Sequence, residues 1–314
     1  MRVIMMGTGP FAVPTFRALL NSAHEVPALF TRPERPQKGR SKAPPNPMRA
    51  LGEERGLRIH EPESVNAPEA RMVLASYRPD LLVVCDYGQI LKASTLEIAR
   101  LGGINLHASL LPKYRGAAPI NWALYHGETE TGVTVIHMTP QLDAGPAIAQ
   151  ARTPIGPDET AAELEPRLAE LGAPLVLQAV GALESGTAAP LEQDANLTTR
   201  APRLRKEHGA VDWRRTAAEI HNQVRSLKPW PKTHTFWHRE GGAPLRLILD
   251  RVHAEPGAGE PGVVLAAEGE RLVVGTGGGT LALEAVQPAG KRVLDTAEFL
   301  RGYPVRAGEH FGPE

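Results

Sequence analysis

The chain has 314 residues in which 35 lysines and arginines meet 35 aspartates and glutamates, a formal net charge of zero that argues against a uniformly basic nucleic-acid binder and against a strongly acidic tail. With 42% hydrophobic and 22% charged residues it can bury a sizeable core, and its length, about twice a common domain size, suggests two domains. A single cysteine, Cys85, excludes an internal disulfide and a cysteine-rich zinc site, so no metal is expected and a reducing, cytoplasmic setting fits. The opening residues lack a secretory signal and no apolar run of ~18 residues occurs, so no membrane span is expected.

Short apolar runs at 2–6, 25–30 and 80–85 read as buried parallel strands. Between them, helical spacing covers 11–20, 47–55 and 68–77, and further strands read at 103–107 and 132–138. Strands alternating with helices predict an α/β fold: a doubly wound, mostly parallel sheet. Residues 159–184 read as helix with a break near 172–174, and 188–207 as a turn-rich linker. An amphipathic helix is expected over 212–227, ended by Pro229. Five short runs between 232 and 286, punctuated by Gly and Pro, then suggest a small barrel. The predicted division is therefore a first domain over 1–187 and a second over 208–314. Trp213 and Trp230 are read as packing anchors.

The zero net charge hides two basic stretches. Residues 31–50 hold Arg32, Arg35, Lys38, Arg40, Lys42 and Arg49 against Glu34, a net +5, and 200–232 hold nine basic groups against three acids, a net +6. Five prolines within 31–50 predict an extended, exposed loop. The alternatives are a divided surface for an anionic ligand or ordinary solvated side chains.

Gly7-Thr8-Gly9-Pro10-Phe11-Ala12 follows the first strand and matches a loose dinucleotide-binding turn, with Arg32 after the second strand available to a 2′-phosphate. An NADP-dependent oxidoreductase is the reading this supports. Pro10 removes one amide donor, and a tight strand-to-helix turn of any doubly wound sheet reads the same way.

The densest chemistry lies at 103–116. Asn105 and His107 share a face at the end of a strand, where open α/β sheets bind ligands. The next strand leads to Asp143 on a turn at the same edge, where a carboxylate can orient an imidazole or hold it protonated. Asn, His and Asp lack an evident nucleophile, and G-x-S-x-G is absent. The set suits direct transfer of an acyl-type group, with donors for an oxyanion and a base for an incoming amine. A non-catalytic RNA-binding protein on the same scaffold is a further alternative.

The run Asn105-Leu106-His107-x-Ser109-Leu110-Leu111-Pro112-x-x-Arg115-Gly116, with Asp143-x-Gly145 downstream, resembles the folate-dependent formyltransferases. Gly7-Thr8 with Phe11-Ala12, Tyr87-Gly88-x-Ile90-Leu91, Asp212-Trp213, Pro229-Trp230-Pro231 and residues 287–291 extend the resemblance to the tRNA-directed members. Here the opening proline stands one place later than the family's Gly-Thr-Pro-x-Phe-Ala. The resemblance implies a Rossmann-like formyltransferase domain and a smaller C-terminal OB-like β-barrel. It implies transfer of a formyl group from 10-formyltetrahydrofolate to the α-amine of methionine on initiator methionyl-tRNA, by a monomer without metal or membrane. Asn105, His107 and Asp143 would form the catalytic centre. Ser109, Leu110, Leu111, Pro112, Tyr87, Gly88, Ile90 and Leu91 would line the folate. Arg35, Lys38, Arg40, Lys42, Arg203, Arg205 and Lys206 would meet tRNA.

Overall fold

A computed structural model of the chain describes residues 1–34, 46–239 and 242–314. Its strands are β1 (Val3–Gly7), β2 (Ala28–Phe30), β3 (Arg58–His60), β4 (Leu81–Cys85), β5 (Gly103–His107), β6 (Arg115–Gly116), β7 (Glu130–His137), β8 (Ala147–Pro154), β9 (Arg200–Ala201), β10 (Thr233–His238), β11 (Leu245–Glu255), β12 (Val264–Glu268), β13 (Arg271–Gly275), β14 (Thr280–Pro288), β15 (Leu294–Asp295) and β16 (His310–Gly312). Its helices are α1 (Val13–Leu20), α2 (Pro47–Glu54), α3 (Pro68–Ser76), α4 (Ala93–Leu96), α5 (Pro119–Tyr125), α6 (Ala161–Ser185), α7 (Ala217–Ser226) and α8 (Thr296–Gly302). The chain forms two compact units, one of residues 1–119, 130–154 and 164–202, the other of 120–129, 155–163 and 203–314.

The first unit is built on a sheet of order β3-β2-β1-β4-β5-β7-β8. β1 and β4 are buried along their whole length, which is why their sequences are unbroken apolar runs. The first five strands of that order run parallel, whereas β7 and β8 add antiparallel strands at one edge. Order reverses between β1 and β4, which sets a topological switch point at the carboxy edge. α6 runs unbroken through Pro166 and Pro174, so the expected break near 172–174 does not occur. Gly172 lets this helix close on β5, since a Cβ there would meet the Leu106 side chain at 2.5 Å.

The second unit carries an antiparallel sheet of order β12-β13-β14-β11-β10-β16, with β15 beside β14. Its ends meet at a Val263–His310 bridge, so the sheet curls into the small OB-like barrel. Trp213, Trp237, Phe299 and Phe311 fill its core with aliphatic partners. α7 starts at Ala217 rather than at 212. The Thr216 hydroxyl accepts the Glu219 N–H at 3.2 Å while Glu219 Oε2 accepts the Thr216 N–H at 2.9 Å, a capping box that fixes the start. Trp213 is buried as expected, but Trp230 is half exposed and anchors little.

Candidate active site

β5 presents Asn105 and His107 on one face at the carboxy edge of the first unit's sheet. Asn105 is half-buried, and among the described residues its amide makes no hydrogen bond. His107 is buried, and its Nε2 lies 2.9 Å from the Tyr114 carbonyl. A carbonyl only accepts, so Nε2 carries a proton and Nδ1 is the nitrogen left for other partners. Nδ1 faces Asp143 Oδ2 at 3.7 Å, close enough for charge to be felt and too long for a hydrogen bond.

Three separate pieces of chain hold that geometry. Tyr114 sits at φ 64°, which turns its carbonyl back toward His107, and its N–H donates to Thr199 Oγ1 at 2.8 Å. Asp143 stands at φ 50°, a conformation its short side chain tolerates, and Oδ2 accepts the Gly116 N–H at 2.9 Å. Gly116 lies at φ 132°, and any Cβ there would run into the Ala201 carbonyl across the β6–β9 pair. Gln193 then binds the two sides together. Its Nε2 donates to the Asp143 and Gly145 carbonyls at 2.9 and 2.7 Å, and its Oε1 accepts from Arg115 at 3.0 and 2.7 Å.

The segment after His107 is fastened from below. The Ser109 hydroxyl donates to the Lys113 carbonyl at 2.7 Å, so it is spent on the turn itself. Thr134 Oγ1 donates to the Ser109 carbonyl at 2.7 Å and accepts the Leu111 N–H at 3.1 Å. Ser109 and Leu111 are buried, whereas Leu110 and Pro112 keep surface. Of the residues expected to line a pterin, Gly88 and Ile90 are exposed, while Tyr87 and Leu91 point into the core beside Phe30 and Leu74. The Tyr87 hydroxyl is buried without a partner among the described residues, and burial pushes it above the usual phenol range.

Asp86 marks the switch point. Its carbonyl accepts the Thr8 and Gly9 N–H groups at 3.0 and 3.3 Å, and a Cβ on Gly9 would collide with its carboxylate. Asp86 keeps exposed surface, but loss of water around its carboxylate, and then the Glu165 carboxylate, push it up to about 6. A dinucleotide turn needs free amides facing a pyrophosphate. Here two are taken, Pro10 has none, and a carboxylate stands beside them, so this turn does not cradle an anion.

The basic stretches thin out on inspection. Arg35, Lys38, Arg40 and Lys42 lie outside the described residues. Arg49 belongs to α2 and pairs with Glu53 and Glu61. In 200–232, Arg214 pairs with Asp212, Arg215 with Glu219 and Lys228 with Asp250, while Arg225 is buried on the Gly156 and Glu159 carbonyls. Arg203, Arg205 and Lys206 are exposed, and of the three only Arg205 has an ion pair among the described residues, to Glu207 at 3.8 Å. Gln193, Thr199 and Thr134 escaped the sequence reading, because a linker glutamine and two threonines carry no local chemical signature.

Residues 1–180 match the formyl transferase family and residues 203–304 match the formyl transferase C-terminal domain. The chain is 45% identical over 322 residues to the methionyl-tRNA formyltransferase of Rhodopirellula baltica, covering 98% of this chain and 96% of that one. It is 43% identical to the protein of the same name from Trichlorobacter lovleyi, with 98% and 96% covered. Among solved structures, an N-formyltransferase from Helicobacter canadensis in complex with folinic acid and dTDP-3-aminofucose has TM-score 0.65 at 17% identity, covering 90% of this chain and 98% of that one. HypX from Aquifex aeolicus in complex with tetrahydrofolic acid has TM-score 0.59 at 19% identity, covering 100% and 51%. At those identities the two structures speak for the fold.

Proposed function

Because the chain belongs to the formyl transferase family over both of its units, and relatives at 43–45% identity are methionyl-tRNA formyltransferases, we propose that it moves the formyl group of 10-formyltetrahydrofolate to the α-amine of initiator methionyl-tRNA. The observation that carries the reading is the Asn105, His107 and Asp143 set, with an unpaired amide and a free Nδ1 turned to one edge. In this reading residues 1–187 do the chemistry, 188–207 link, and 208–314 follow tRNA. The protein works in the cytoplasm as a single chain, since one chain supplies every group named.

The roles follow from the hydrogen-bond pattern. The amine nitrogen attacks the formyl carbon, and the oxygen gains negative charge. The Asn105 amide and a protonated Nδ1 of His107 donate to that oxygen, Nε2 being held by Tyr114. Asp143, fixed by Gly116 and 3.7 Å from Nδ1, faces the imidazole with its charge and, through water, takes the proton the amine must lose. As the carbon–nitrogen bond to the folate breaks, Nδ1 gives its proton to the leaving nitrogen and regains one from Asp143, which holds the proton lost by the amine. No covalent formyl-enzyme is formed.

The folate is assigned to the two loops whose residues keep surface: Gly88 and Ile90 offer backbone and an apolar cover, and the half-buried Leu110 and Pro112 take the same role. Arg203, Arg205, Lys206 and the loop residues Arg35, Lys38, Arg40 and Lys42 are assigned to tRNA. The test is formyl transfer from 10-formyltetrahydrofolate to methionyl-tRNA. The wild type is expected to be active, and His107→Ala and Asp143→Ala each to lose on the order of 10²–10⁴ in kcat with fold retained. Near-wild-type turnover in either variant overturns the role assigned to that residue.

A further inference from the structure

The carboxy edge of the first unit's sheet carries one row of residues across four strands. Met6 pairs with Phe30 and Val84, and Val84 pairs with Asn105. Two residues further along each strand, Arg32, Thr8, Asp86 and His107 stand in the same order. The row holds beyond the strand ends: the Arg32 N–H donates to Thr8 Oγ1 at 3.3 Å, and the Thr8 N–H to the Asp86 carbonyl at 3.0 Å. Three strand spacings separate Arg32 from His107, ~14 Å.

Arg32 is half-buried and, among the described residues, pairs with no carboxylate. Its guanidinium lies against Gly88, where Nη1 reaches the carbonyl at 3.5 Å, the outer limit of a hydrogen bond. Among the described residues, most of its five N–H donors find no acceptor. An anion entering this edge finds the Thr8 and Gly9 amides taken and the Asp86 carboxylate beside them, so the unpaired cation at the end of β2 is its place.

We infer that Arg32 is a phosphate subsite for the acceptor, binding the phosphodiester on the 5′ side of the terminal nucleotide whose ribose carries the aminoacyl ester. The inference rests on the proposed formyl transfer and adds where the nucleotide lies. From the α-amine to that phosphorus run eight bonds, an extended span of ~10 Å. With the amine at His107, the phosphorus falls short of Arg32 by less than an arginine side chain's length. A guanidinium meets a phosphate through two parallel N–H···O bonds, and five donors with one weak internal acceptor leave that pair available.

The test compares wild type, Arg32→Gln and Arg32→Lys on two small acceptors, the methionyl ester of adenosine and that of adenosine 5′-monophosphate, with 10-formyltetrahydrofolate as donor. The wild type is expected to favour the phosphorylated ester roughly tenfold in kcat/KM. That preference falls to about one in Arg32→Gln and survives in part in Arg32→Lys. On whole methionyl-tRNA, the slope of log KM against log salt falls by ~0.7–0.9 in Arg32→Gln, one phosphate contact. A preference retained in Arg32→Gln overturns the inference. So does a rise in donor KM with the preference intact, which would assign Arg32 to the carboxylates of the folate tail. A wild type inert toward both esters and toward methionyl-tRNA overturns formyl transfer itself, a different outcome.

Discussion

Thr134→Val isolates the fastening beneath the active-site loop. Valine keeps the shape and suits a strand, so the loss is chemical rather than steric. Thr134 is fully buried, and its hydroxyl gives the Ser109 carbonyl a donor at 2.7 Å and the Leu111 N–H an acceptor at 3.1 Å. Gln150 Nε2, which also reaches this hydroxyl at 3.0 Å, keeps its second bond to the Leu111 carbonyl at 3.1 Å and so compensates neither loss. Two buried main-chain groups are thus left without partners, at about 1–3 kcal/mol each, for a total of roughly 2–6 kcal/mol. For a unit of this size that is a fall in Tm on the order of 10 °C in a thermal melt. The same two groups set the path of Leu110 and Pro112, so the KM for 10-formyltetrahydrofolate should rise several-fold while tRNA affinity is spared. Thr134→Ser restores the hydroxyl and should recover most of both. A Thr134→Val melt within about 2 °C of wild type, or a serine variant as damaged as the valine one, would refute the account.

Gln193→Ala releases the Asp143 and Gly145 carbonyls together with Arg115, so kcat should fall about tenfold to a hundredfold with both KM values little changed. Gln193→Glu keeps the acceptor for Arg115 but cannot donate, and rescue by it in steady-state assays would contradict the clamp. Asp86 binds its proton more tightly when folded, with a value of about 6 against 3.8. Its contribution to stability is therefore fullest below about pH 4 and is lost as pH rises through about 6. Asp86→Asn should raise Tm at pH 7.5 clearly more than at pH 4.5; equal shifts at both would show that the carboxyl is not held as described. Replacing Lys38, Arg40 and Lys42 together by glutamate should raise the tRNA KM steeply and weaken its salt dependence, with donor KM unmoved. Unchanged tRNA affinity in filter binding would remove these three residues from the interface.

Legibility in the sequence followed the source of each element's stability. β1, β4 and β5 were readable because both faces are buried and the residues themselves record it. β8 was not, since it lies at the sheet's edge with alternating partial exposure and owes its existence to pairing with β7. β3 and β16, three residues each, carry too little pattern to see. The start of α7 was set by a cap rather than by periodicity, and the prolines of α6 were absorbed by packing that no local rule reports. Asn105, His107 and Asp143 could be singled out because their chemistry is unusual for a strand end. What holds them could not: Gln193 and Thr199 come from a stretch whose composition says turn, and Tyr114 and Gly116 act through main-chain atoms that any residue possesses.

The glycine turn after β1 shows why spacing alone misleads. Gly7 and Gly9 stand where a dinucleotide fingerprint puts them, but each glycine answers to a neighbour within the protein. A Cβ on Gly7 would crowd Met48, Ala12 and the Cys85 carbonyl at 2.8–2.9 Å, and one on Gly9 would strike the Asp86 carboxylate. The family's proline, one place earlier in its opening motif, would occupy position 9 and could not coexist with that carboxylate where it lies. Gly9 and Asp86 therefore belong together here: the carboxylate stands at the switch point, and the missing side chain at position 9 leaves it room. The same pattern of glycines that welcomes a pyrophosphate in one fold here accompanies a carboxylate that repels it.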